Sequence, residues 1–359
     1  MTIAVLGSGN GGLAVAFECA AAGHTVRLFD FPQFGAAVSA VAAQGGIHAE
    51  GDLEGFAPIA SAGYDLEAAL RDAELVFIVG PAYSTQPFGE ACRPFLKAGQ
   101  SVIVCPGSCG GAIIFQRAIA GERGSGGVLV SETSTLPYAV RSTAPGRIRV
   151  FLRLRGGVFL ATLPSSETRR VLAQVQPVYP MITAARNVLQ TALQNGNPVI
   201  HPAVTLLNAA LIERTGGDFL FYEQGVTPAV GRLMEGVDRE RIALGAALGL
   251  EILSDPMLGV QQGYMTQADY HVGYTGAPGF TGIRAQGTLD HRYFHEDVGY
   301  GLVFASSLAR AAAIPVPVTD ALIEIISVVM QRDYRRESAR SIEALGFAGL
   351  GIEDIQRMV

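Results

Sequence analysis

The chain has 359 residues, of which 49% are hydrophobic and 16% charged, and its formal net charge at pH 7 is −6. A composition this apolar supplies a sizeable core and excludes general disorder, and a chain of this length suits two domains. The acidic balance excludes the basic surface that binding to a nucleic-acid backbone requires.

The chain opens with a short apolar strand that passes directly into a glycine-rich loop. TIAVL (Thr2 to Leu6) precedes GSGNGG, residues 13–22 are predicted to form a helix, and a second strand, TVRLFD, ends at Asp30. A GxGxxG pattern between a strand and a helix, with an acidic residue after the next strand, is typical of dinucleotide binding. The predicted cofactor contacts in the loop are Gly7, Ser8, Gly9, Asn10, Gly11 and Gly12.

Each glycine of the GxGxxG pattern has a separate predicted role. Gly7 allows a tight turn, Gly9 lets the backbone approach a pyrophosphate, and Gly12 lets the helix pack closely on the strand. The pyrophosphate is expected at the helix N-terminus, where free N–H groups and the helix dipole favour an anion. Asp30 is expected to bind the ribose hydroxyls and to repel a 2′-phosphate, which favours NAD(H) over NADP(H).

Three further apolar strands, separated by helical segments, are predicted at residues 74–80, 101–107 and 126–133. Strands and helices in this alternation predict a parallel sheet with right-handed crossovers. Ligands of such sheets bind beyond the carboxyl ends of the strands. This rule selects Pro81 as a cofactor contact and Glu132 and Thr133 as substrate contacts.

The remaining elements mark the boundary between two predicted domains. Strands at residues 147–155 and 158–164 are predicted to be antiparallel and to close the first domain at about residue 184, and the apolar spacing after them is helical. The predicted fold class is α/β, with a Rossmann-type dinucleotide-binding domain over residues 1–184 and an all-helical substrate-binding domain over residues 185–359. This order of domains resembles the 6-phosphogluconate dehydrogenase-like enzymes.

Most enzymes that share this order of domains use a lysine of the helical domain as a proton donor. The single lysine of this chain, Lys97, instead precedes a strand of the first domain. A histidine is therefore expected to move protons, since imidazole titrates near neutral pH. His201 lies in QNGNPVIHP, a polar stretch between apolar helical segments, four residues after Asn197. A helical backbone would place both side chains on one face. The alternative for His201 is a hydrogen-bonded core histidine.

Four segments of the chain together resemble one enzyme family. GSGNGG near the start, SET after the last parallel strand, NGNPVIHP and HRYFHEDVGYGL are similar to the octopine/nopaline dehydrogenases, over nearly the whole chain. The resemblance implies the NAD(P)H-dependent reductive condensation of an amino acid with a 2-oxo acid such as pyruvate. It also implies that His201 works with Asp297, a few residues after Arg292. We expect the pair to transfer protons in a cleft between the domains, Arg292 to bind a substrate carboxylate, and Asn197 to hold substrate or ribose.

Physical chemistry agrees with these roles, although alternatives stay open. A guanidinium is a planar fork that matches a carboxylate, and an aspartate on one imidazole nitrogen fixes the tautomer and stabilises the imidazolium. Arg292 and Asp297 could instead form an ion pair in a polar surface loop. The function could also be the reduction of a simple 2-oxo or 3-oxo acid without an amine, or nucleotide sensing without turnover.

The predicted partners are small molecules, with neither nucleic acid nor a membrane. Apolar helix faces such as VTDALIEIISVVMQ are wider than one small domain can hide, which predicts a homodimer formed through the helical domain. The first strand leaves no room for a signal peptide and no apolar run reaches the length of a membrane span, so a soluble, cytoplasmic protein is expected. The 4 cysteines form no CxxC pair, and no metal site is predicted.

Overall fold

The computed structural model of the protein describes residues 1–121 and 124–359. The chain divides into two units, Met1–Thr191 and Ala192–Val359. The boundary predicted from the sequence lies slightly earlier, between residues 184 and 185. None of the helices in the described ranges combines the length and the hydropathy that crossing a membrane requires.

The strands of the first unit form two sheets. In chain order they are β1 (Thr2–Leu6), β2 (Thr25–Phe29), β3 (Gly46–Gly51), β4 (Gly55–Pro58), β5 (Ser61–Gly63), β6 (Leu75–Ile78), β7 (Ser101–Val104), β8 (Leu129–Thr133), β9 (Tyr138–Ala144), β10 (Arg147–Arg153), β11 (Val158–Leu163) and β12 (Ile182–Ala184). The larger sheet has the order β12-β11-β8-β7-β6-β1-β2-β5, and the smaller one has the order β4-β3-β10-β9. Pairing is parallel from β5 through β2, β1, β6 and β7 to β8, which confirms the predicted parallel sheet.

The strand order of the larger sheet reverses at β1, because β2 is its neighbour on one side and β6 on the other. In open α/β sheets, ligands bind outside the carboxyl ends of the strands at such a reversal. The last residues of the two central strands, Leu6 of β1 and Ile78 of β6, are direct partners in the sheet. The glycine loop and Pro81 therefore both follow strands at the point of reversal.

The two strands predicted after the parallel ones are both present, but they lie in different sheets. β10 pairs antiparallel with β9 in the smaller sheet, and β11 pairs antiparallel with β8 in the larger one. Their burial gives the physical reason. Alternate residues of β10 are exposed, as in a sheet with one solvated face, whereas β11 is buried almost throughout.

Helices connect the strands of the first unit and make up most of the second, which confirms the predicted helical second half. The helices of the first unit are α1 (Asn10–Ala21), α2 (Gly35–Gln44), α3 (Leu66–Leu70), α4 (Thr85–Cys92), α5 (Gly111–Ile119) and α6 (Thr168–Val175). Helix α7 (Val188–Leu193) crosses the boundary. Those of the second unit are α8 (Asn197–Leu207), α9 (Ala209–Thr215), α10 (Pro228–Ala247), α11 (Asp255–Gln262), α12 (Val272–Thr275), α13 (Arg292–His295), the π-helix Asp297–Leu302, α14 (Val303–Ala311), α15 (Pro317–Met330), α16 (Tyr334–Glu337) and α17 (Ile352–Met358).

The apolar core of the second unit draws side chains from several helices. Its members include Val204 of α8, Met234 of α10, Val298 of the π-helix and Ile323 of α15. His201 lies on the same helix as Val204 and is itself buried. Because buried polar groups need hydrogen-bond partners, this imidazole must be paired with polar groups around it.

A second group of buried polar side chains links α10 to α11. The carboxylate of Asp238 accepts hydrogen bonds from Nε of Arg241 at 2.7 Å, from the Tyr270 hydroxyl at 2.6 Å and from the backbone N–H of Asp255 at 2.7 Å. The Asp255 carboxylate in turn accepts a hydrogen bond from the Tyr274 hydroxyl. Of the two buried carboxyl groups, Asp238 is therefore the one that bonds the Arg241 guanidinium.

Candidate functional site

The glycine loop of the first unit contains two positions that only glycine can occupy. Gly7 has a φ of +110°, and a Cβ on it would lie 2.0 Å from the carbonyl oxygen of Val79. A Cβ on Gly12 would lie 1.8 Å from the carbonyl oxygen of Gly7. Gly7 therefore makes the turn after β1 possible, and Gly12 lets α1 approach that turn closely.

The N-terminus of α1 offers a place for an anion. Gly9 is exposed at the N-cap, and a Cβ there would meet no atom of the described residues within 4 Å. The helix begins at Asn10, before the predicted start, and within the described ranges no side chain caps it. Its first N–H groups are therefore available to a pyrophosphate, as the sequence pattern predicts. The loop fits a dinucleotide.

Asp30, directly after β2, is fixed against the glycine loop. Its Oδ2 accepts hydrogen bonds from the backbone N–H of Ser8 at 2.6 Å and from the Ser8 hydroxyl at 2.7 Å. Its Oδ1 accepts a hydrogen bond from the N–H of Phe31 at 2.8 Å. The buried carboxylate therefore brings a negative charge to the loop and also holds the loop in shape.

Two other predicted loop contacts have clear structural partners. Oδ1 of Asn10 accepts a hydrogen bond from the N–H of Ser142 at 2.9 Å, which ties the start of α1 to β9. The carbonyl oxygen of Pro81 accepts hydrogen bonds from the N–H of Ser84 at 2.9 Å and from its hydroxyl at 2.8 Å. These bonds order the segment after β6 at the strand reversal.

Glu132 and Thr133, predicted to contact substrate, are buried at the end of β8. The Glu132 carboxylate accepts hydrogen bonds from the N–H of Ala112 at 2.8 Å and from the Thr191 hydroxyl at 2.7 Å. The backbone oxygen of Thr133 accepts one from the N–H of Gly107 at 2.9 Å. In the structure the two residues hold the loop between β7 and α5, and their contact with substrate stays a prediction.

His201 and Asp297 form a buried pair in the second unit. Nδ1 of His201 lies 2.7 Å from Oδ2 of Asp297, although 96 residues separate the two in the chain. Both side chains are at least nine-tenths buried, with 9% and 3% exposed. A buried carboxylate beside an imidazole favours the tautomer with its proton on Nδ1 and stabilises the imidazolium when a second proton arrives.

The local fold explains how this pair forms. Asn197 and Pro198 occupy the first turn of α8, where proline is tolerated, and His201 follows one turn later. Asp297 begins the π-helix, a rare conformation that occurs often at functional sites. A Cβ on Gly301 of the π-helix would lie 2.3 Å from Cγ of Pro198, so glycine permits the close approach of the two segments.

Aromatic rings close around the imidazole of His201. Tyr293 stacks on it with ring centroids 3.8 Å apart and an interplanar angle of 19°, and Phe221 meets it edge-on at 6.1 Å. The hydroxyl oxygen of Tyr222 lies 3.3 Å from Nε2. The imidazole is thus held at one face, at one edge and at both nitrogens.

Arg292 lies on α13, one turn before the π-helix. Its Nη2 forms an ion pair with the Glu296 carboxylate at 2.9 Å, and 57% of the Arg292 side chain is exposed. Because a guanidinium carries five N–H donors, this contact is compatible with a further, bidentate bond to a carboxylate. The partner of Arg292 is thus Glu296 and not Asp297, and a contact of Arg292 with a substrate carboxylate stays a prediction.

The amides of QNGNPVIHP have different uses. Gln194 exchanges hydrogen bonds with the backbone of Leu253, accepting from its N–H at 3.1 Å and donating to its carbonyl at 3.3 Å. Oδ1 of Asn195 accepts a hydrogen bond from the N–H of Asn197 at 3.2 Å and so shapes the start of α8. The Asn197 side chain is partly exposed and shares a helix face with His201.

Several residues around the pair escaped the sequence-based prediction. Tyr293 lies inside the segment RYFHED, between two residues that were predicted to act, and this position was an available signal. Phe221 and Tyr222 belong to DFLFYEQG, which carries no motif and no unusual spacing. No local pattern connects that segment to His201, so only the folded chain identifies these two rings.

Comparison with known families gives two matches along the chain. Residues 184–330 match the alpha-helical domain of NAD/NADP octopine/nopaline dehydrogenase. Residues 2–107 match the N-terminus of NAD-dependent glycerol-3-phosphate dehydrogenase. The first match includes His201 and Asp297, and the second match includes the glycine loop and Asp30.

Individual relatives cover most or all of the chain. An opine dehydrogenase of Arthrobacter sp. (strain 1C) is 37% identical over 359 residues, covering 100% of this chain and 98% of the relative. A D-nopaline dehydrogenase of Agrobacterium tumefaciens (strain T37) is 26% identical, covering 91% of this chain and 85% of the relative. Among solved structures, octopine dehydrogenase in complex with NADH and agmatine has a TM-score of 0.82 at 17% identity, covering 99% of this chain and 98% of that one.

Proposed function

The chain belongs to the octopine/nopaline dehydrogenase family, and from this membership we propose that His201 and Asp297 are its proton-transfer pair. It is an NAD(P)-dependent oxidoreductase of CH–NH bonds, whose activity is the reductive condensation of an amino acid with a 2-oxo acid. The observation that carries the residue assignment is the buried 2.7 Å contact between Nδ1 of His201 and Oδ2 of Asp297.

Proton transfer accompanies each stage of this reaction. The amino group adds to the 2-oxo carbon and loses a proton, the carbinol oxygen gains one and leaves as water, and the resulting imine is reduced. Bound NADH or NADPH supplies the hydride. His201 keeps one proton on Nδ1 toward Asp297 and exchanges the other at Nε2, while Asp297 stabilises the imidazolium formed in between.

Arg292 is proposed to bind a substrate carboxylate, with Asn197 as a further substrate contact. Both substrates carry a carboxylate, and the Arg292 guanidinium has donors beyond its ion pair with Glu296. Asn197 lies one turn before His201 on α8. Arg292 therefore lies close to Asp297 in the sequence, and Asn197 lies close to His201.

The glycine loop is proposed to prefer NADH to NADPH. The buried Asp30 carboxylate lies against the loop, and a 2′-phosphate near it would add a second anion to a partly desolvated site. Fluorescence titration with the two cofactors tests this preference, and Asp30→Ala should narrow the difference in affinity. Equal affinities of the unaltered protein for NADH and NADPH would contradict the proposal.

The activity itself is tested with a panel of amino acids against pyruvate, oxaloacetate and 2-oxoglutarate, following NADH oxidation. We expect oxidation only when an amino acid and a 2-oxo acid are both present. Turnover with a 2-oxo acid alone, in ammonia-free buffer, would indicate a reductase without an amine substrate. The panel also identifies the amino acid and the 2-oxo acid.

The second unit is proposed to form a homodimer through α15. Ile325, Val328 and Val329 are exposed on one face of this helix, with Val328 78% exposed. Light scattering at micromolar concentration should give the mass of a dimer, and Val328→Asp should give that of a monomer. A monomer mass for the unaltered protein would contradict the proposal.

The cytoplasm is the proposed location. All four cysteines are buried thiols, as is usual where thiols stay reduced. Cell fractionation tests this location, and recovery of the protein outside the cytoplasmic fraction would contradict it.

A further inference from the structure

Both ring nitrogens of His201 have partners, and the second partner is a residue that the proposed mechanism does not use. Asp297 occupies Nδ1, and the hydroxyl of Tyr222 lies 3.3 Å from Nε2, the nitrogen that must exchange a proton with substrate. We propose that Tyr222 is a positioning residue that aims Nε2 of His201 through both protonation states, an inference that rests on the function proposed above.

The position of the Tyr222 hydroxyl is fixed by the packing of its ring. The ring stacks on Phe280 with centroids 4.1 Å apart and an interplanar angle of 12°. Phe221 meets it edge-on at 5.0 Å and an angle of 84°. The side chain is buried, so the two rings leave it little freedom to rotate. The hydroxyl therefore marks a defined point in front of Nε2.

A tyrosine hydroxyl can serve both protonation states of the imidazole. When the proton of neutral His201 is on Nδ1, the Tyr222 hydroxyl donates a hydrogen bond to the lone pair of Nε2. When Nε2 is protonated, it donates a hydrogen bond and the hydroxyl oxygen accepts it. Burial, and then nearby tyrosines and acidic groups, raise the pKa of Tyr222 well above its ordinary value, so its hydroxyl stays neutral.

The length of this bond also fits a positioning role. A separation of 3.3 Å is longer than the usual 2.9–3.0 Å between nitrogen and oxygen, so the hydroxyl orients Nε2 without binding it tightly. Stacking by Tyr293 blocks one face of the imidazole, and Asp297 holds the opposite nitrogen. A rotation of the imidazole would break both hydrogen bonds, so Tyr222 and Asp297 fix its orientation from opposite ends.

The decisive variant is Tyr222→Phe, which keeps the stacked ring and removes only the hydroxyl. We expect kcat to fall by about tenfold to a hundredfold, the effect of losing one hydrogen bond to a group that becomes charged. The Michaelis constants of both substrates and the affinity for NADH should change by less than about twofold, because no substrate contact is removed. An unchanged kcat in the folded variant would overturn the proposal.

A matched control is Tyr334→Phe, in the same unit. The Tyr334 side chain is also buried, and its hydroxyl lies 2.9 Å from Nδ1 of another histidine, His295. This variant removes the same atom from the same kind of contact outside the proposed site. We expect kcat within about twofold of the unaltered enzyme. An equal loss in the two variants would mean that any buried hydroxyl matters, and the proposal would be wrong.

A double variant separates this proposal from the proposed function. If Tyr222 acts through His201, then Tyr222→Phe should have no further effect in the His201→Ala background. Multiplication of the two effects would overturn the positioning role. If His201→Ala alone kept normal turnover, the proposed proton-transfer pair would fail first, whatever Tyr222→Phe did.

Spectroscopy of the unaltered protein provides a test that does not depend on folding of a variant. With ¹⁵N-labelled histidine and His201→Ala as the assignment reference, neutral His201 should show its proton on Nδ1 and a hydrogen-bonded lone pair on Nε2. In folded Tyr222→Phe the Nε2 resonance should move toward that of a free lone pair. A resting tautomer with the proton on Nε2 would contradict the proposed geometry.

Discussion

The second unit contains two histidine–aspartate pairs that look alike in distance and differ in burial. Nδ1 of His201 lies 2.7 Å from Asp297, and Nε2 of His295 lies 2.5 Å from Asp290. The aspartate side chains are 3% and 85% exposed, respectively. Water screens the exposed pair, whereas the buried carboxylate depends on the imidazole for its stabilisation. A short contact alone therefore does not identify a proton-transfer pair.

The second nitrogen of each imidazole sharpens the contrast. Each bonds a buried tyrosine hydroxyl, Tyr222 at Nε2 of His201 and Tyr334 at Nδ1 of His295. Nδ1 of His295 also lies 2.9 Å from Nη1 of the Arg332 guanidinium. No cation of the described residues is hydrogen-bonded to His201. His201 thus has two buried partners, whereas His295 has an exposed carboxylate and a guanidinium among its partners.

The largest expected effect comes from removing the imidazoles in turn. General acid–base catalysis is worth about 10²–10⁴-fold, so His201→Ala should lower kcat by that factor and leave the affinity for NADH nearly unchanged. His295→Ala should change kcat by less than about threefold, since its partner is exposed. Steady-state kinetics and fluorescence titration measure the two quantities. Near-normal turnover of His201→Ala, or a larger loss in His295→Ala, would reverse the assignment.

Replacing each aspartate by asparagine tests the same comparison, because the change removes the negative charge beside the imidazole. Asp297→Asn should lower kcat by about a hundredfold or more, because the amide no longer fixes the tautomer or stabilises the imidazolium. Asp290→Asn serves as the matched control and should leave kcat almost unchanged. The double variant of His201→Ala and Asp297→Asn should be hardly slower than the poorer single one. Simple multiplication of the two losses would show that the residues act independently.

A third test concerns binding rather than proton transfer. Arg292→Ala should raise the Michaelis constant of the 2-oxo acid by about tenfold to a hundredfold, because a carboxylate loses a charged hydrogen-bond donor. Arg284 provides the control, since it is similarly exposed in the same unit and paired with Asp218. Initial rates at varied 2-oxo acid give both constants. An effect of Arg292→Ala on kcat alone would move this residue into the proton-transfer chemistry.

The sequence predicted the cofactor loop better than it predicted the helical site, and the reason is locality. Gly12 is required by its contact with the Gly7 carbonyl and Gly7 by the positive φ of the turn after β1, and both requirements arise within one strand, turn and helix, which a short pattern captures. His201 and Asp297 meet across 96 residues, and only the family resemblance connected them. Tyr222 lies in a segment without a motif, so nothing in the chain order indicated its contact with His201.

The smaller sheet shows a second limit of prediction. Its strands β3 and β4, GIHAEG and GFAP, contain glycine, proline and charged residues rather than an apolar or alternating run. β3 and β10 become neighbours through long-range pairing, with Ala49 opposite Ile148. Such pairing depends on tertiary packing rather than on intrinsic strand propensity, so the sequence predicted β10 and not its partner.

The smallest expected effect concerns Asp255, a buried carboxyl group that has no histidine as its partner among the described residues. Burial first, and then the charge of Asp238, raise the pKa of Asp255 to about 7 from its ordinary value of 3.8. Asp297 has His201 as its partner, whereas Asp255 has a second carboxyl that already uses Arg241. Between pH 3.8 and about pH 7, Asp255 is more often protonated in the folded chain than in the unfolded chain. The free energy of unfolding should therefore fall as the pH rises toward 7, and it should level off above that pH.

Asp255→Asn removes this titration while keeping the shape of the side chain. The melting temperature of the unaltered protein should therefore fall by a few degrees more than that of the variant between about pH 5 and pH 8. Asp290→Asn, an exposed aspartate in the same unit, should keep the pH dependence of the unaltered protein. Thermal unfolding followed by circular dichroism measures all three. Parallel curves for Asp255→Asn and the unaltered protein would mean that Asp255 stays charged in the interior, and that Arg241 neutralises both carboxylates rather than one.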